Sequence, residues 1–392
     1  MASSKLTKLL VDVHSHVYLP RYTALLRSRS NAPLIKTLTN PDGKPDDRLL
    51  ILADEPSTGR PVGPQYWDRD EKLKFMDKHG IDVTVVSTAN PWLDFLPPPE
   101  AHKLALELNE DLEQYCSTSP KVVDAQIPRL FGFGLLPLVP NVSVDALLQS
   151  IKQIAQLPHL RGLIMGTMGV GKGLDDEALD PVWAAIEEAG LVIFVHPHYG
   201  VDAKAWGERD NGHVLPLALG FPFETTTAIT RLIISGVLDR FPNLKLLLAH
   251  SGGALPILSS RLSSCIVHDP VVASRLKHDA RYYVGKLYLD AVSYGPEEMG
   301  YASESLARAS RYQTGSQETA SHSSLAVKRS LGSKRMMFGT DHPFFPPLSS
   351  TEKWKSVVEN LQAIEDVQGW SEEDKDGVRG GNAVELFNLN IS

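Results

Sequence analysis

Two histidines stand close together near the N-terminus, where an apolar run ends. The segment reads LLVDVHSHVYLP, and one serine separates His14 from His16. Side chains at positions i and i+2 of a β-strand point to the same side, so both imidazoles can face one point. Neutral imidazole nitrogens are favoured ligands of Zn²⁺ and similar divalent ions. The pair therefore predicts one half of a metal site at a strand end.

Other apolar runs also stop at residues that can bind a metal. LVIFVH ends at His196, LKLLLAH ends at His250, and MMFGTD ends at Asp341. A lone histidine is more often a core or loop residue, but a third histidine and a carboxylate would complete a ligand set that leaves a position for water or substrate. We therefore predict one divalent metal, Zn²⁺ or a similar ion, bound by His14, His16, His196 and Asp341.

Eight short apolar runs, each followed by a helical pattern, provide the strands that would gather these residues. The runs are continuous rather than alternating, as expected of strands covered on both faces. They span residues 9–13, 81–87, 131–138, 160–165, 191–195, 244–249, 286–291 and 336–339. Alternating strands and helices indicate an α/β protein with a parallel sheet. Closure into a (β/α)8 TIM-type barrel would bring the strand ends to one active-site face; a doubly wound open sheet is the alternative.

Two segments interrupt this alternation. Residues 28–66 are rich in Pro, Asp, Gly and Arg and predict a small insertion after the first strand, with a hairpin around RLLILAD. Residues 310–328 are polar and rich in Ser and Thr, and predict a mobile or disordered surface loop. We expect one domain over residues 1–392, because this length is ordinary for a barrel with insertions.

Composition narrows the class of protein. The chain has 42% hydrophobic and 22% charged residues, which is typical of a soluble globular protein. Its net charge of -8, without a block of Lys or Arg, argues against a nucleic-acid partner. No apolar run is long enough to span a membrane. The two cysteines, Cys116 and Cys265, provide neither a disulfide framework nor a thiolate metal site, and together these features favour a cytoplasmic protein.

Five motifs together resemble one family. They are DVHSH, RGLIMGT, LDDEALDPVWAAIEEAGLVIFVHPH, FPFETTTAITRLIISGVLDRFPNLKLLLAHSGGALP and GTDHPF. This set is similar to the amidohydrolase superfamily, and to its branch typified by α-amino-β-carboxymuconate-ε-semialdehyde decarboxylase. The resemblance covers nearly the whole chain. It implies a (β/α)8 fold, a homodimer, the same four metal ligands, no organic cofactor, and a role for His250 in hydrogen bonding to metal-bound water or substrate.

Within that branch, two stretches are most similar to the fungal isoorotate (uracil-5-carboxylate) decarboxylases. They begin at RPVGPQYWDRDEKLKF and at GTDHPFFPPL. The resemblance implies that Arg69 and Arg261 contact the substrate, and a guanidinium fork matches a planar carboxylate. Asn90 could hydrogen-bond a pyrimidine edge, and Phe223 and Phe344 could sandwich a flat ring. Surface salt bridges for the arginines and plain packing for the aromatic residues are the alternatives.

Three more polar residues stand beside the proposed ligands. Asp290 ends the seventh apolar run, and we expect it to cap or support rather than bind the metal. His198 and His342 each lie next to or near a proposed ligand but would point the other way along the strand. We expect both to be structural.

These features predict a metal-dependent, non-oxidative decarboxylase of a small-molecule carboxylic acid, with uracil-5-carboxylate as the first choice. Other aromatic acids and the carboxymuconate semialdehyde are alternatives within the branch. Asp341 would pass a proton to the ring carbon with help from His250. Metal-dependent hydrolysis of an amide, ester or lactone uses a similar centre, so it remains the main rival, and a catalytically silent binding protein is a third possibility.

Overall fold

The computed structural model describes most of the chain. The described residues are 8–52, 59–123, 125–200, 206–209, 212, 214–315, 324–347, 349 and 352–389.

The strands form two separate sheets. In chain order they are β1 (Val11–Val17), β2 (Leu34–Thr39), β3 (Pro45–Leu50), β4 (Arg60–Pro61), β5 (Val83–Thr88), β6 (Leu130–Leu135), β7 (Leu160–Gly166), β8 (Val192–His196), β9 (Lys245–Leu248), β10 (Tyr288–Asp290) and β11 (Met336–Met337). The larger sheet is parallel and has the order β1-β5-β6-β7-β8-β9-β10-β11. The smaller sheet is antiparallel and has the order β2-β3-β4.

Backbone hydrogen bonds join the two ends of the larger sheet. The amide of Val13 donates to the carbonyl of Phe338 at 3.0 Å, and the amide of His16 donates to the carbonyl of His342 at 2.7 Å. These bonds close the eight strands into a barrel, which confirms the predicted (β/α)8 fold over the open-sheet alternative. Every residue of β1, β5, β6 and β8 is buried. Their apolar runs are continuous because the barrel interior and the surrounding helices cover both faces.

Helices surround the barrel. They are α1 (Pro20–Ser28), α2 (Arg69–His79), α3 (Pro98–Ser117), α4 (Val144–Gln156), α5 (Asp180–Ala189), α6 (Phe221–Ile234), α7 (Val237–Arg240), α8 (Leu255–Val267), α9 (Pro270–Ala273), α10 (Ala280–Val284), α11 (Pro296–Leu306), α12 (Leu325–Ser333), α13 (Lys355–Asp366), α14 (Glu372–Asp376) and α15 (Asn382–Leu386). A π-helical turn over Pro216–Gly220 leads directly into α6. Within the described ranges, no helix is long and apolar enough to cross a membrane.

The two interrupting segments have more regular structure than their composition suggests. Strands β2 and β3 form a hairpin inside the predicted insertion, and β4 adds a third strand to it. The prediction of a polar loop through residue 328 is wrong at its end, because α12 begins at Leu325. The Ser324 side chain caps this helix by accepting from the amide of Val327. Residues 316–323 of that loop lie outside the described residues. That the whole chain is one domain stays a prediction.

Candidate metal centre

The four proposed ligands meet at the carboxyl ends of β1, β8 and β11. His14 Nε2 lies 3.1 Å from His16 Nε2, and Asp341 Oδ1 lies 3.3 Å and 3.5 Å from these two nitrogens. Together with His196, each residue offers one ligand atom, and these atoms lie within 4.8 Å of one another. All four residues are buried. Strands that are far apart in sequence therefore bring three imidazoles and one carboxylate to one point.

A partner behind each imidazole holds its orientation. The Nδ1 atom of His14 lies 2.6 Å from Asp290 Oδ2, that of His16 lies 2.9 Å from Ser87 Oγ, and that of His196 lies 2.8 Å from the carbonyl of Pro197. A ligand histidine commonly uses its second nitrogen in this way, which fixes the ring and its tautomer. The Nε2 side of each ring is thus left for an ion.

Burial and charge set the protonation of these groups. Burial lowers the pKa of His16 to about 4 and that of His196 well below its usual value. Burial also acts to lower the pKa of His14, but the carboxylates of Asp341 and Asp290 outweigh it and raise the pKa to about 10. For Asp341, burial is opposed by the charge of His14 and by hydrogen bonds from the histidines, so its pKa lies well below the usual range.

This donor set fits a divalent metal ion. Three buried imidazoles and one ionised carboxylate converge on one point. Without metal, the raised pKa of His14 favours a proton on this imidazole, whose Nε2 atom lies 3.3 Å from Asp341 Oδ1. A divalent ion would replace that proton and satisfy all four ligand atoms. Nitrogen and oxygen ligands of this kind suit zinc and manganese. The site is therefore a metal centre, as the strand-end residues predicted.

His250 lies beside the ligand cluster but is not one of the four ligands. Its Nε2 atom lies 3.7 Å from Asp341 Oδ2, and its side chain is 16% exposed. Its Nδ1 atom is buried and has no hydrogen-bond partner among the described residues. This arrangement can relay a proton between solvent and the Asp341 carboxylate.

An open cavity of about 520 Å³ lies above the centre, and His196, His250 and Asp341 form its floor. Its wall is mostly apolar or aromatic. The other lining residues are Arg60, Asn90, Val214, Leu217, Ala218, Phe221, Tyr294, Phe344, Phe345, Lys355, Ser356 and Glu359. A pocket with one polar end and apolar walls suits a small, flat, anionic molecule.

Two of the predicted substrate contacts lie in this pocket. Asn90 lines it, and the Asn90 side-chain amide donates to the carbonyl of His198. The Phe344 ring also lines it and meets the His16 ring edge to face, with 5.6 Å between ring centres. Both residues are thus in place to contact a substrate.

The other three predicted contacts lie elsewhere. Arg69 donates to Thr118 Oγ1 at 2.6 Å and lines a separate surface groove formed by the starts of α1 and α2 and the end of α3. Arg261 is exposed on α8, and Phe223 is 41% exposed on α6. None of the three lines the pocket above the metal centre of their own chain. For Phe223 the reason is helical geometry, because Phe221, two residues earlier, takes the inward position.

The predicted structural roles of the neighbouring residues agree with their contacts. Asp290 supports His14 from behind and is not one of the converging ligands. His198 Nε2 contacts Asp94 Oδ2 at 2.8 Å, and His342 Nδ1 contacts the Lys72 ammonium at 2.6 Å. Both histidines are buried and turned away from the ligand cluster.

Lys72 and Arg60 were missed from the sequence. The Lys72 ammonium is fully buried, and it donates to Ser15 Oγ and to the carbonyl of His16 beneath the centre. Its position three residues after Arg69 in α2 gave no signal beyond an ordinary charged helix. Arg60 belongs to the two-residue strand β4, whose pairing with β3 places it at the pocket.

Comparisons with known proteins agree with this architecture. The sequence profile of the Amidohydrolase family matches residues 11–389. The crystal structure of IDCase from Metarhizium anisopliae in its apo form is 37% identical, covers 100% of this chain and 99% of its own, and superposes with a TM-score of 0.84. The 2-amino-3-carboxymuconate-6-semialdehyde decarboxylase of Dictyostelium discoideum is 28% identical over 84% of this chain and 79% of its own.

A more distant structure has the same fold. The 5-carboxyvanillate decarboxylase of Novosphingobium aromaticivorans, solved with bound manganese, is 19% identical over 97% of each chain, with a TM-score of 0.70. At this identity the likeness shows a shared fold. With the full-length family match and the four converging ligands, the chain therefore belongs to the amidohydrolase family, as a member of its group of metal-dependent decarboxylases.

Proposed function

We propose that the protein converts uracil-5-carboxylate (isoorotate) to uracil and CO₂. The observation that carries the proposal is the placement of the metal ligand Asp341, with His250 beside it, at the floor of an aromatic-walled pocket. The 37% identity over the full length to Metarhizium IDCase, an isoorotate decarboxylase, supports this substrate over other aromatic acids.

The reaction replaces a carboxylate by a proton. The bond between the ring carbon and the carboxylate carbon breaks, its electron pair stays with the ring carbon, and CO₂ leaves. One proton added to the same ring carbon balances the equation. Because an electron pair on an sp² ring carbon is unstable, protonation of that carbon before bond cleavage makes the ring an acceptor for the electrons.

A divalent metal at this centre would supply Lewis-acid chemistry to the carboxylate of the substrate. His14, His16, His196 and Asp341 would hold it. We propose zinc, because three imidazoles and one carboxylate are typical zinc ligands. The manganese in the 5-carboxyvanillate decarboxylase makes manganese the alternative.

Asp341 and His250 share the proton transfer in this proposal. The pKa of Asp341 lies well below its usual range, so the carboxylate is ionised at rest and must receive a proton before it can donate one. His250 Nε2 lies 3.7 Å from the carboxylate, and the partly exposed His250 ring can exchange protons with solvent. We infer that His250 supplies the proton and that Asp341 delivers it to the ring carbon.

Other side chains of the pocket would select the ring. Phe221 and Phe344 can hold its two faces, and Asn90 can hydrogen-bond its polar edge. Arg60 presents a guanidinium to the pocket and is a better placed contact for an anionic substrate than Arg69 or Arg261.

A substrate panel tests the proposal. Metal-loaded protein is incubated with uracil-5-carboxylate, 2,3-dihydroxybenzoate, orsellinate and the carboxymuconate semialdehyde, and CO₂ is measured for each. We expect uracil-5-carboxylate to have the highest kcat/KM. Preference for another acid would contradict the substrate. Release of an acid from an amide, ester or lactone, without CO₂ from any of the four, would contradict the reaction class and favour a hydrolase.

A further inference from the structure

The carboxylate of Asp290 contacts two parts of the site at once. It is fully buried at the end of β10. Its Oδ2 atom lies 2.6 Å from His14 Nδ1 and 3.0 Å from the backbone amide of His250. Its Oδ1 atom accepts from the amides of Ser251 at 2.7 Å and Val292 at 3.2 Å. One side chain thus touches a metal ligand and the turn that carries His250.

The turn that carries His250 has a backbone conformation that residues other than glycine rarely adopt. His250 and Ser251 have φ angles of 54° and 52°, and Gly252 and Gly253 continue with positive φ. A left-handed backbone at two successive residues with side chains is disfavoured and persists only where the surroundings enforce it. Asp290 supplies much of that enforcement, since its carboxylate accepts both amides and its carbonyl accepts the Ser251 hydroxyl at 2.8 Å.

We infer that Asp290 is a positioning residue that links metal binding to the placement of His250 beside Asp341. The inference rests on the proposed function only where it assigns proton transfer to His250. Through His14, Asp290 fixes the tautomer that leaves Nε2 for the metal. Through the two amides, it holds the His250 ring 3.7 Å from Asp341 Oδ2. Loss of the carboxylate should therefore damage both functions together.

Ser87 provides the matched comparison. Its hydroxyl stands behind His16 as Asp290 stands behind His14, at 2.9 Å from Nδ1, but no hydrogen bond joins Ser87 to the His250 turn among the described residues. Asp290→Asn keeps the size of the side chain and removes one of its two acceptor atoms. Ser87→Ala removes the support of a metal ligand and the hydrogen bond to the Ser15 carbonyl at 3.5 Å, and it leaves the contacts of the His250 turn in place.

The two variants are compared by metal affinity and by kcat at saturating metal. We expect both to bind metal roughly 10- to 100-fold more weakly, as is typical when the partner of a ligand histidine is lost. At saturating metal, Asp290→Asn should lose about 100-fold in kcat, because a misplacement of about 1 Å can cost that much. Its loss should exceed that of Ser87→Ala by at least about tenfold. Equal losses of kcat in the two variants would overturn the inference.

A second variant covers the case in which Asp290→Asn does not fold. Ser251→Ala removes the hydroxyl that donates to the Asp290 carbonyl and leaves the carboxylate and the metal ligands in place. We expect kcat to fall about two- to tenfold, the effect of one lost hydrogen bond, with metal affinity changed less than kcat. Wild-type kcat in this variant, or a metal affinity reduced as much as kcat, would overturn the inference.

A structural measurement separates this inference from the choice of substrate. Crystal structures of metal-loaded wild type, Asp290→Asn and Ser87→Ala need no turnover. We expect the distance between His250 Nε2 and Asp341 Oδ2 to lengthen in Asp290→Asn and to stay near 3.7 Å in the other two. An unmoved His250 in Asp290→Asn would contradict the positioning role, whichever acid the enzyme decarboxylates.

Discussion

The metal centre and the wall of the pocket above it differ in how they are built. The ligands come from the ends of strands whose side chains are fully enclosed, and a hydrogen-bonded partner stands behind each histidine. The wall comes from the small β2-β3-β4 sheet, the start of α6 and the start of α13, and several of its side chains are exposed. The barrel therefore holds the groups that do chemistry, while peripheral segments shape the space for the substrate.

This difference has a consequence for substitutions. Changes at the floor should reduce the rate of the chemical step or the metal affinity, because the proposed function places the floor residues against the reacting atoms. Changes in the wall should act mainly on substrate binding. Each of the following predictions tests either the floor or the wall of the pocket.

His250→Ala should have the largest effect on kcat of the variants in this series, because it removes the floor residue that is not a metal ligand. We expect kcat to fall roughly 10²- to 10⁴-fold, the range for a lost acid–base group, with metal content unchanged. His268→Ala serves as the control, because His268 is exposed at the end of α8. A His250→Ala enzyme with wild-type kcat would remove His250 from the proton path.

Arg60→Lys tests the wall. Lysine keeps the charge but lacks the planar fork. We expect kcat/KM to fall about ten- to hundredfold, since an ionic hydrogen bond contributes roughly 1.5–3 kcal/mol. Arg69→Lys should leave kcat/KM unchanged, because Arg69 is engaged with Thr118 in another groove. A large loss in Arg69→Lys together with none in Arg60→Lys would reverse our assignment.

Metal affinity should increase with pH. Without metal, the pKa of His14 is raised to about 10 by its two carboxylate neighbours, so His14 carries a proton at neutral pH that the metal must displace. Below about pH 10 each added pH unit should therefore strengthen binding about tenfold, with one proton released per metal. The pKa of His16, lowered to about 4, adds no further dependence near neutral pH. Calorimetry in buffers of different ionisation enthalpy measures this release, and release of no proton at pH 7 would contradict the charge assignment.

The smallest expected effect compares two phenylalanines on one helix. Phe221→Ala should raise KM about two- to tenfold, because an aromatic contact contributes roughly 0.5–1.5 kcal/mol. Phe223→Ala should raise KM less, since Phe223 is 41% exposed and does not line the pocket. Wild-type KM values in both variants would show that the start of α6 does not contact the ring, and a larger increase for Phe223→Ala would reverse the assignment.

The sequence could predict the metal centre because its ligands stand at the ends of regular, apolar strands. The spacing of His14 and His16 places both on one side of a strand, and the barrel brings the end of every strand to one face. His196 and Asp341 needed only the assumption of closure. The strand bounds themselves differ by a few residues; the last strand, for example, is limited to Met336–Met337.

The wall was harder to predict because its residues lie in short or irregular elements that have no clear sequence pattern. Arg60 reaches the pocket through the pairing of β4 with β3, and no apolar periodicity in the sequence predicts this pairing. Phe221 takes the inward position at the start of α6, directly after a π-helical turn that the sequence does not predict. The buried Lys72 lies in a helix of low apolar content, and only the packing of α2 beneath β1 shows its role.

The most direct test of the proposed function is the reaction of uracil-5-carboxylate in D₂O with wild type and Asp341→Asn. Metal content is measured in both proteins. For wild type we predict equal amounts of CO₂ and of uracil with one deuterium at the carbon that lost the carboxylate. For Asp341→Asn, which keeps a similar size but cannot carry the proton, we predict retained metal and a loss of roughly 10²- to 10⁴-fold in kcat. An Asp341→Asn enzyme that holds its metal and decarboxylates at the wild-type rate would contradict the proposal.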